Sequence, residues 1–176
     1  PAVAKCGIAI VSAYAIVAIF APYLAPYDEV DVVAVPYLPA DRTYLLGTDQ
    51  LGRDILSRLI FGARNTLSIA LATVLISLTV GGGLGIVAAM RRGWIDQASS
   101  RMADLVMSIP SLICALMLLS IFGSSVPALI LVIATLDSVF FFRLSRAASL
   151  GIVSSDFVEV ARLRGEGTWW IATREI

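Results

Sequence analysis

The chain has 176 residues, 59% hydrophobic and only 15% charged, with a mean hydropathy of +0.89; this balance excludes an ordinary soluble domain and reads as a membrane protein. Thirteen basic residues balance thirteen acidic ones, so no basic excess points to nucleic acid, and the lack of histidine removes the commonest general base and metal ligand together. Cys6 and Cys114 lie in separate apolar runs, which argues against a disulfide framework or a zinc site and makes both small core residues.

A hydrocarbon core about 30 Å thick needs about 20 mostly apolar residues of helix, because lipid offers the backbone no hydrogen-bond partners. Four stretches meet that demand, at about residues 6–25, 66–90, 105–122 and 126–142. The first carries no charge. Lys5 is a thin basic flank, Pro22 and Pro26 interrupt its exit and no small-residue cleavage site follows, so it is a retained span rather than a signal peptide. The basic residues set the orientation. With the N-terminus inside, the cytoplasmic segments hold nine (Lys5, Arg91, Arg92, Arg101, Arg143, Arg146, Arg162, Arg164, Arg174) and the other side four (Arg42, Arg53, Arg58, Arg64). The uncharged turn Gly123-Ser124-Ser125 suits an external hairpin.

The loop after the first span opens with prolines and acids, from Pro26-Tyr27-Asp28-Glu29 to Pro36 and Pro39, and reads as irregular. Over 46–60 the pattern changes: Leu51, Ile55, Leu56, Leu59 and Ile60 share a helical face, which predicts an amphipathic helix with Thr48 or Asp49 as N-cap. In the second span, Gly81 and Gly85 have the spacing that lets membrane helices approach closely. Gly81-Gly82-Gly83 is no nucleotide loop, since no strand precedes it and no Lys-Ser or Lys-Thr follows, so the chain is not expected to hydrolyse ATP. Pro110 kinks the third span.

Asp137 lies within the fourth span, where a charge costs about 2.5–3.5 kcal/mol on insertion scales. It is either a pathway residue facing a polar cavity or partner, or a protonated or paired aspartate with Arg143 six residues on. After this span, Asp156 reads as an N-cap with Glu159 three residues later, and the helix ends at Gly165-Glu166-Gly167. A second short helix is expected from Thr168. Phe157, Val160, Ala161 and the Trp169-Trp170-Ile171 cluster give this helical pair apolar surface for a docking partner.

Two segments carry a family resemblance. Leu46-Gly47-Thr48-Asp49-Gln50-Leu51-Gly52-Arg53-Asp54, with Leu56-Ser57-Arg58 and Gly62-Ala63-Arg64, resembles the LGTDxxGRDxxSRxxxGAR stretch of the oligopeptide, dipeptide and nickel ABC importer permeases. Glu159-Val160-Ala161 with Gly165 is similar to the EAA signature of bacterial import permeases, with Val160 a mild departure. The resemblance implies an all-α, polytopic transmembrane bundle of the ABC type I importer permease fold, with about four of six spans. Residues 1–64 would form the N-terminal helix, external loop and amphipathic helix, and 65–176 the incomplete core, with a cytoplasmic coupling loop at about 143–176.

The same resemblance implies a multi-pass protein of the bacterial inner membrane, N-terminus cytoplasmic, that carries di- or oligopeptides, nickel or another small solute. Its partners would be a second permease in a heterodimer, two cytoplasmic ATPases, an extracytoplasmic solute-binding protein and the bilayer. It would need no cofactor or metal and would not be an enzyme, ATP hydrolysis belonging to the ATPases. Asp156, Glu159, Val160, Ala161 and Gly165 would couple to the ATPase, and Gly47, Thr48, Asp49, Gly52, Arg53, Asp54 and Arg58 would form the family motif of the external loop. Asp137-Ser138-Val139 departs from the family's apolar residue, Trp and Pro. The family's Leu-Pro pair and two further spans are expected beyond Ile176. An ion- or proton-coupled secondary transporter or channel using Asp137 is the alternative. An intramembrane enzyme is suggested only by Ser124 and Ser125, and the missing histidine disfavours it.

Overall fold

The computed structural model describes residues 2–91, 93–167, 170 and 171, and among them it is helical with no strand. Three helices are long and apolar enough to cross a membrane, or four if a sharply bent pair counts as one span. The predicted helix from Thr168 and the aromatic Trp169 lie outside the described residues. The chain divides into two compact units, Pro1–Ala70 and Leu71–Ile176.

The first unit begins with α1 (Ala2–Ile19) and the short α2 (Ala21–Leu24), where Pro22 sits in the first turn and needs no N–H. Only Ala18 is buried along α1, because a helix that is apolar all round has no preferred inner face. Cys6 is accordingly exposed rather than a core residue, and Cys114 is half-buried. An irregular loop follows, and α3 (Ile55–Ser77) starts five or six residues later than an N-cap at Thr48 or Asp49 would place it. Gly47 and Gly52 stand at φ +77 and +76, which breaks any helix through them. The N-cap is therefore neither Thr48 nor Asp49 but Asp54, whose Oδ2 accepts the Ser57 N–H at 2.8 Å.

The second unit takes in the end of α3, a π-helical turn (Leu78–Gly82) and α4 (Gly83–Arg91), then α5 (Trp94–Met107), α6 (Ser111–Phe122), α7 (Val126–Val153) and α8 (Asp156–Leu163). Its organising contact is a seam of small residues against α7. Ser77 Oγ donates to the Ala134 carbonyl at 3.1 Å, Gly81 lies on the Ser138 backbone and Gly85 on the Phe142 carbonyl. Each step of four on one helix is matched by four on the other, so the two run parallel and in register. Residues four apart drift round an α-helix, whose turn takes about 3.6 residues, and the wider turn at Leu78–Gly82 takes up that drift.

Three span boundaries differ from the hydropathy reading. The second runs Ile55–Arg91, 37 residues, instead of 66–90, because the amphipathic turns that begin at Ile55 continue without a break into the apolar stretch. The third is two helices, Trp94–Met107 and Ser111–Phe122, meeting at 87°, instead of one kinked span over 105–122. Pro110 has no N–H and holds Ile109 out of the helical region, while Ser108 Oγ takes the Leu105 carbonyl at 2.7 Å. The fourth continues past 142 to Val153, as Phe142, Ser149 and Val153 remain buried along α7.

Candidate functional site

The loop motif folds as a knot of side-chain-to-backbone hydrogen bonds. Thr48, buried, donates through Oγ1 to the Val35 carbonyl at 2.7 Å and accepts the Leu38 N–H at 2.9 Å. The Gly52 carbonyl accepts from Val33 and Ala34, and a side chain at Gly52 would strike the Ala34 carbonyl oxygen. Bridges pair Val32 with Arg53 and Thr48 with Asp54. Buried Asp54 accepts from Ser57 Oγ at 2.7 Å, and that hydroxyl accepts the Tyr27 N–H at 3.1 Å. Gly47, Thr48, Asp49, Gly52, Arg53, Asp54 and Arg58 thus converge on one structure.

Asp49 closes the knot. Its Oδ1 accepts the N–H groups of Arg53 at 3.0 Å and Leu51 at 2.7 Å, and its Oδ2 pairs with Arg58 at 2.5 Å. Hydrogen bonding from the Arg53 backbone, then from Leu51 and Arg58, holds its carboxyl below the usual carboxylate range. A depressed folded-state value means a contribution that is complete above the ordinary carboxylate pKa and lost as pH falls through the lower folded one. Proteolysis of the loop is therefore expected to be constant from neutral pH to pH ~5 and to rise only as the pH drops below ~4, near and under the unfolded carboxylate value. In Asp49→Asn the rise at low pH should be smaller than in the parent, since only the Asp41 and Asp54 carboxylates then remain to hold the loop; a rise equal to the parent's would contradict the assignment.

The sequence reading missed the other half of the knot. Asp41 Oδ1 accepts the N–H groups of Thr43 at 2.8 Å and Tyr44 at 2.6 Å, and Tyr44 donates to the Val33 carbonyl at 3.1 Å. Burial, with Tyr27 and Asp41 nearby, pushes the Tyr44 phenol up from its ordinary value. The Asp-x-Thr-Tyr spacing was the available signal, since a short carboxylate caps the N–H groups two and three residues on.

At the other end of the chain, α8 turns one face inward. Val158 and Ala161 are buried with Met90, Val153 and Ile171, and Ile86 and Ile152 pack beside them. The Ser155 carbonyl accepts the Val158 N–H at 3.1 Å, so Asp156 is the first helical residue rather than the N-cap, and the capping box expected from Asp156 and Glu159 gives way to two acids in the first turn. That position suits them, because the N-terminal end of the helix dipole is positive. The helix stops in a left-handed turn: Gly165 has φ +82 and the Glu166 N–H reaches back to the Ala161 carbonyl at 3.2 Å. Phe157, Glu159, Val160 and Leu163 point outward. Ala161 and Ile171 belong to the inner face, not to the docking surface expected of them, since residues three apart follow Val158 inward. Leu163, 82% exposed, stands in their place.

Asp137 is exposed on α7, and no ion pair is seen for it among the described residues. Pairing with Arg143, one of the alternatives the sequence left open, does not form, because six residues along a helix put the two side chains about 120° apart. Arg143 meets Asp104 of α5 at 3.6 Å instead, and Arg146 holds Asp96 through both Nε and Nη2, the latter at 2.7 Å to Oδ2. Asp96, Ser100 and Asp104 recur every four residues, a polar stripe that was legible in α5 and was overlooked.

The fold and these features define a class: a polytopic helical membrane protein with a charged helix and glycine turn at the end of its last described span. Residues 81–176 match the family model described as "Binding-protein-dependent transport system inner membrane component". The chain belongs to that family. It is 39% identical over 158 residues to the di/tripeptide transport system permease protein DppC of Pseudomonas aeruginosa, covering 86% of this chain and 52% of the relative. The nickel transport system permease protein NikC of Escherichia coli is 32% identical over 165 residues, 93% of this chain and 59% of the relative. The glutathione transport system permease protein GsiD of Pectobacterium atrosepticum is 32% identical over 167 residues, 91% and 54%. The chain spans somewhat more than half the length of these curated relatives.

Proposed function

We propose that this chain is the permease subunit of an ATP-binding cassette importer, lining a path for di- or oligopeptides together with a second permease. Two cytoplasmic ATPases drive it and an extracytoplasmic binding protein delivers the cargo. The observation that carries the reading is α8: its inner face is locked against the ends of α4 and α7, its outer face is free, and a left-handed glycine ends it. A short rigid helix so mounted transmits a rigid-body movement of a docked ATPase to the attached spans. Asp156, Glu159 and Val160 present the docking face, while Ala161 and Gly165 hold it in place. Residues 1–64 form an N-terminal element whose loop motif serves to fold that loop, and 65–176 the transport core. Peptide cargo is favoured because the P. aeruginosa relative is named for di- and tripeptides, nickel and glutathione being the cargo named for the other two.

The test is uptake by the assembled transporter in proteoliposomes, with labelled dipeptide, tripeptide, glutathione and Ni2+ offered in turn. ATP-dependent peptide uptake that requires the binding protein is the expected result. The second reading rests on Asp137, a carboxylate on an exposed face of an apolar span. Uptake driven by a proton gradient without ATP, and lost in Asp137→Asn, would establish it.

The orientation we propose puts the N-terminus and α8 in the cytoplasm and the knotted loop outside. With Cys6 and Cys114 replaced by serine, a membrane-impermeant thiol reagent applied to intact cells should label Gln50→Cys and not Glu166→Cys. The opposite labelling would invert the topology.

A further inference from the structure

The apolar core under α8 joins it to α4 and α7, while α5 joins the same unit through a smaller apolar contact at Ala103 and through charge. On α5, Asp96, Ser100 and Asp104 stand one turn apart; on α7, Arg143 and Arg146 stand three residues apart. Asp96 faces Arg146 and Asp104 faces Arg143, so the helices run antiparallel along a polar cleft of about 390 Å³ lined by Ser100, Asp104, Phe142, Arg143, Arg146 and Ala147. The two pairs are unequal. Arg143 and Asp104 are each more than half exposed and 3.6 Å apart, the kind of pair that adds little. Arg146 and Asp96 are 30% and 14% exposed and meet as a two-bonded fork, which fixes orientation as well as distance. Beside them Ala88, Ala103 and Phe142 close an apolar contact, so the fork is backed by packing.

We propose that Arg146 and Asp96 are positioning residues that make α5 move with α7, carrying displacement of α8 into the bent α5–α6 pair. This rests on the reading of α8 as the ATPase-docking element. Arg146 lies seven residues before the end of α7 at Val153, which packs directly under α8, so a push on α8 reaches the fork along one rigid helix. A two-bonded guanidinium–carboxylate fork fixes orientation as well as distance, and so adds to the packing at Ala103 a directional restraint on sliding and rotation. Disconnected from α7, α5 would keep its place in the fold while losing its part in the transport movement.

The test uses the complete assembled transporter, with spin labels at Gln97→Cys on α5 and Ala148→Cys on α7 in a background lacking Cys6 and Cys114. The expected result is one narrow inter-label distance, the same with and without nucleotide. Asp96→Asn and Arg146→Gln should each broaden it and lower uptake at least tenfold while ATP hydrolysis continues. The exchange Asp96→Arg with Arg146→Asp should restore the narrow distance and bring uptake back to within threefold, and Asp104→Asn should stay within twofold of the parent throughout. The proposal is overturned if Asp96→Asn keeps both distance and uptake, if nucleotide shifts the distance in the parent, or if the exchange restores nothing. Loss of subunit assembly in every variant assigns the pair to folding alone and overturns it too. The distance does not depend on transport. A transporter that fails to use ATP would sink the importer reading, while the label measurement still decides whether α5 and α7 move as one body.

Discussion

Gly81→Ala is expected to destabilise the transport core by about 1–3 kcal/mol, near the top of that range, because the site is closed by backbone and overpacking there has no cheap relief. A Cβ at Gly81 would lie 2.8 Å from both the Ser138 carbonyl carbon and its Cα, and closer still to its carbonyl oxygen. A side chain can rotate away from a methyl group; the backbone of α7 cannot. The helices must separate, which also lengthens the Ser77-to-Ala134 hydrogen bond and opens the contact at Gly85, where an added Cβ would sit 2.5 Å from the Phe142 carbonyl oxygen. Gly83, two residues on, has φ −60 and nothing within 4 Å of its added Cβ. Gly83→Ala is therefore expected to act in the opposite sense, stabilising by about 0.4–1 kcal/mol through lost freedom of the unfolded chain. Denaturant titration of the purified protein in micelles, followed by circular dichroism, measures both. Equal effects at the two glycines would show that the seam with α7 is not a close-packed one.

Uptake lost without loss of the protein is the outcome expected at α8. Gly165 holds φ +82, while proline is fixed near −65°, so Gly165→Pro cannot keep the turn that ends the helix. Space is not the issue, since nothing lies within 4 Å of an added Cβ there; the backbone conformation alone excludes a side chain. Gly165→Ala should consequently give a partial loss, with a strain of about 1–2 kcal/mol. Glu159→Lys works differently. The side chain is exposed, so the fold should lose only about 0.3–1 kcal/mol from a cation near the helix N-terminus, while the charge offered to the ATPase is reversed. Gly165→Pro and Glu159→Lys are each expected to cut ATP-dependent uptake more than tenfold with membrane insertion unchanged, and Asp137→Asn to cut it less. Normal uptake by both α8 variants would defeat the coupling proposal, and a complete loss in Asp137→Asn alone would favour an ion-coupled carrier.

The location of the apolar helices was legible from the sequence, because the need to satisfy every backbone group in lipid is met residue by residue along the chain. The left-handed stop at Gly165 and the close approach at Gly81 and Gly85 were legible for the same reason: glycine's missing Cβ is a local property. What only the tertiary structure decided is which partners those local features meet. Thr48 and Asp49 looked like helix caps because a cap and a loop knot use the same short oxygen side chains; Val35 and Leu38, ten or more residues away, claim Thr48 for the loop. Asp96 and Arg146 stand 50 residues apart, and hydropathy counts each merely as a charge near a span. The seam from Ser77 to Ala134 sets register across 57 residues, which no periodicity within either helix encodes, since a helix presents its small residues without specifying which neighbour will pack on them.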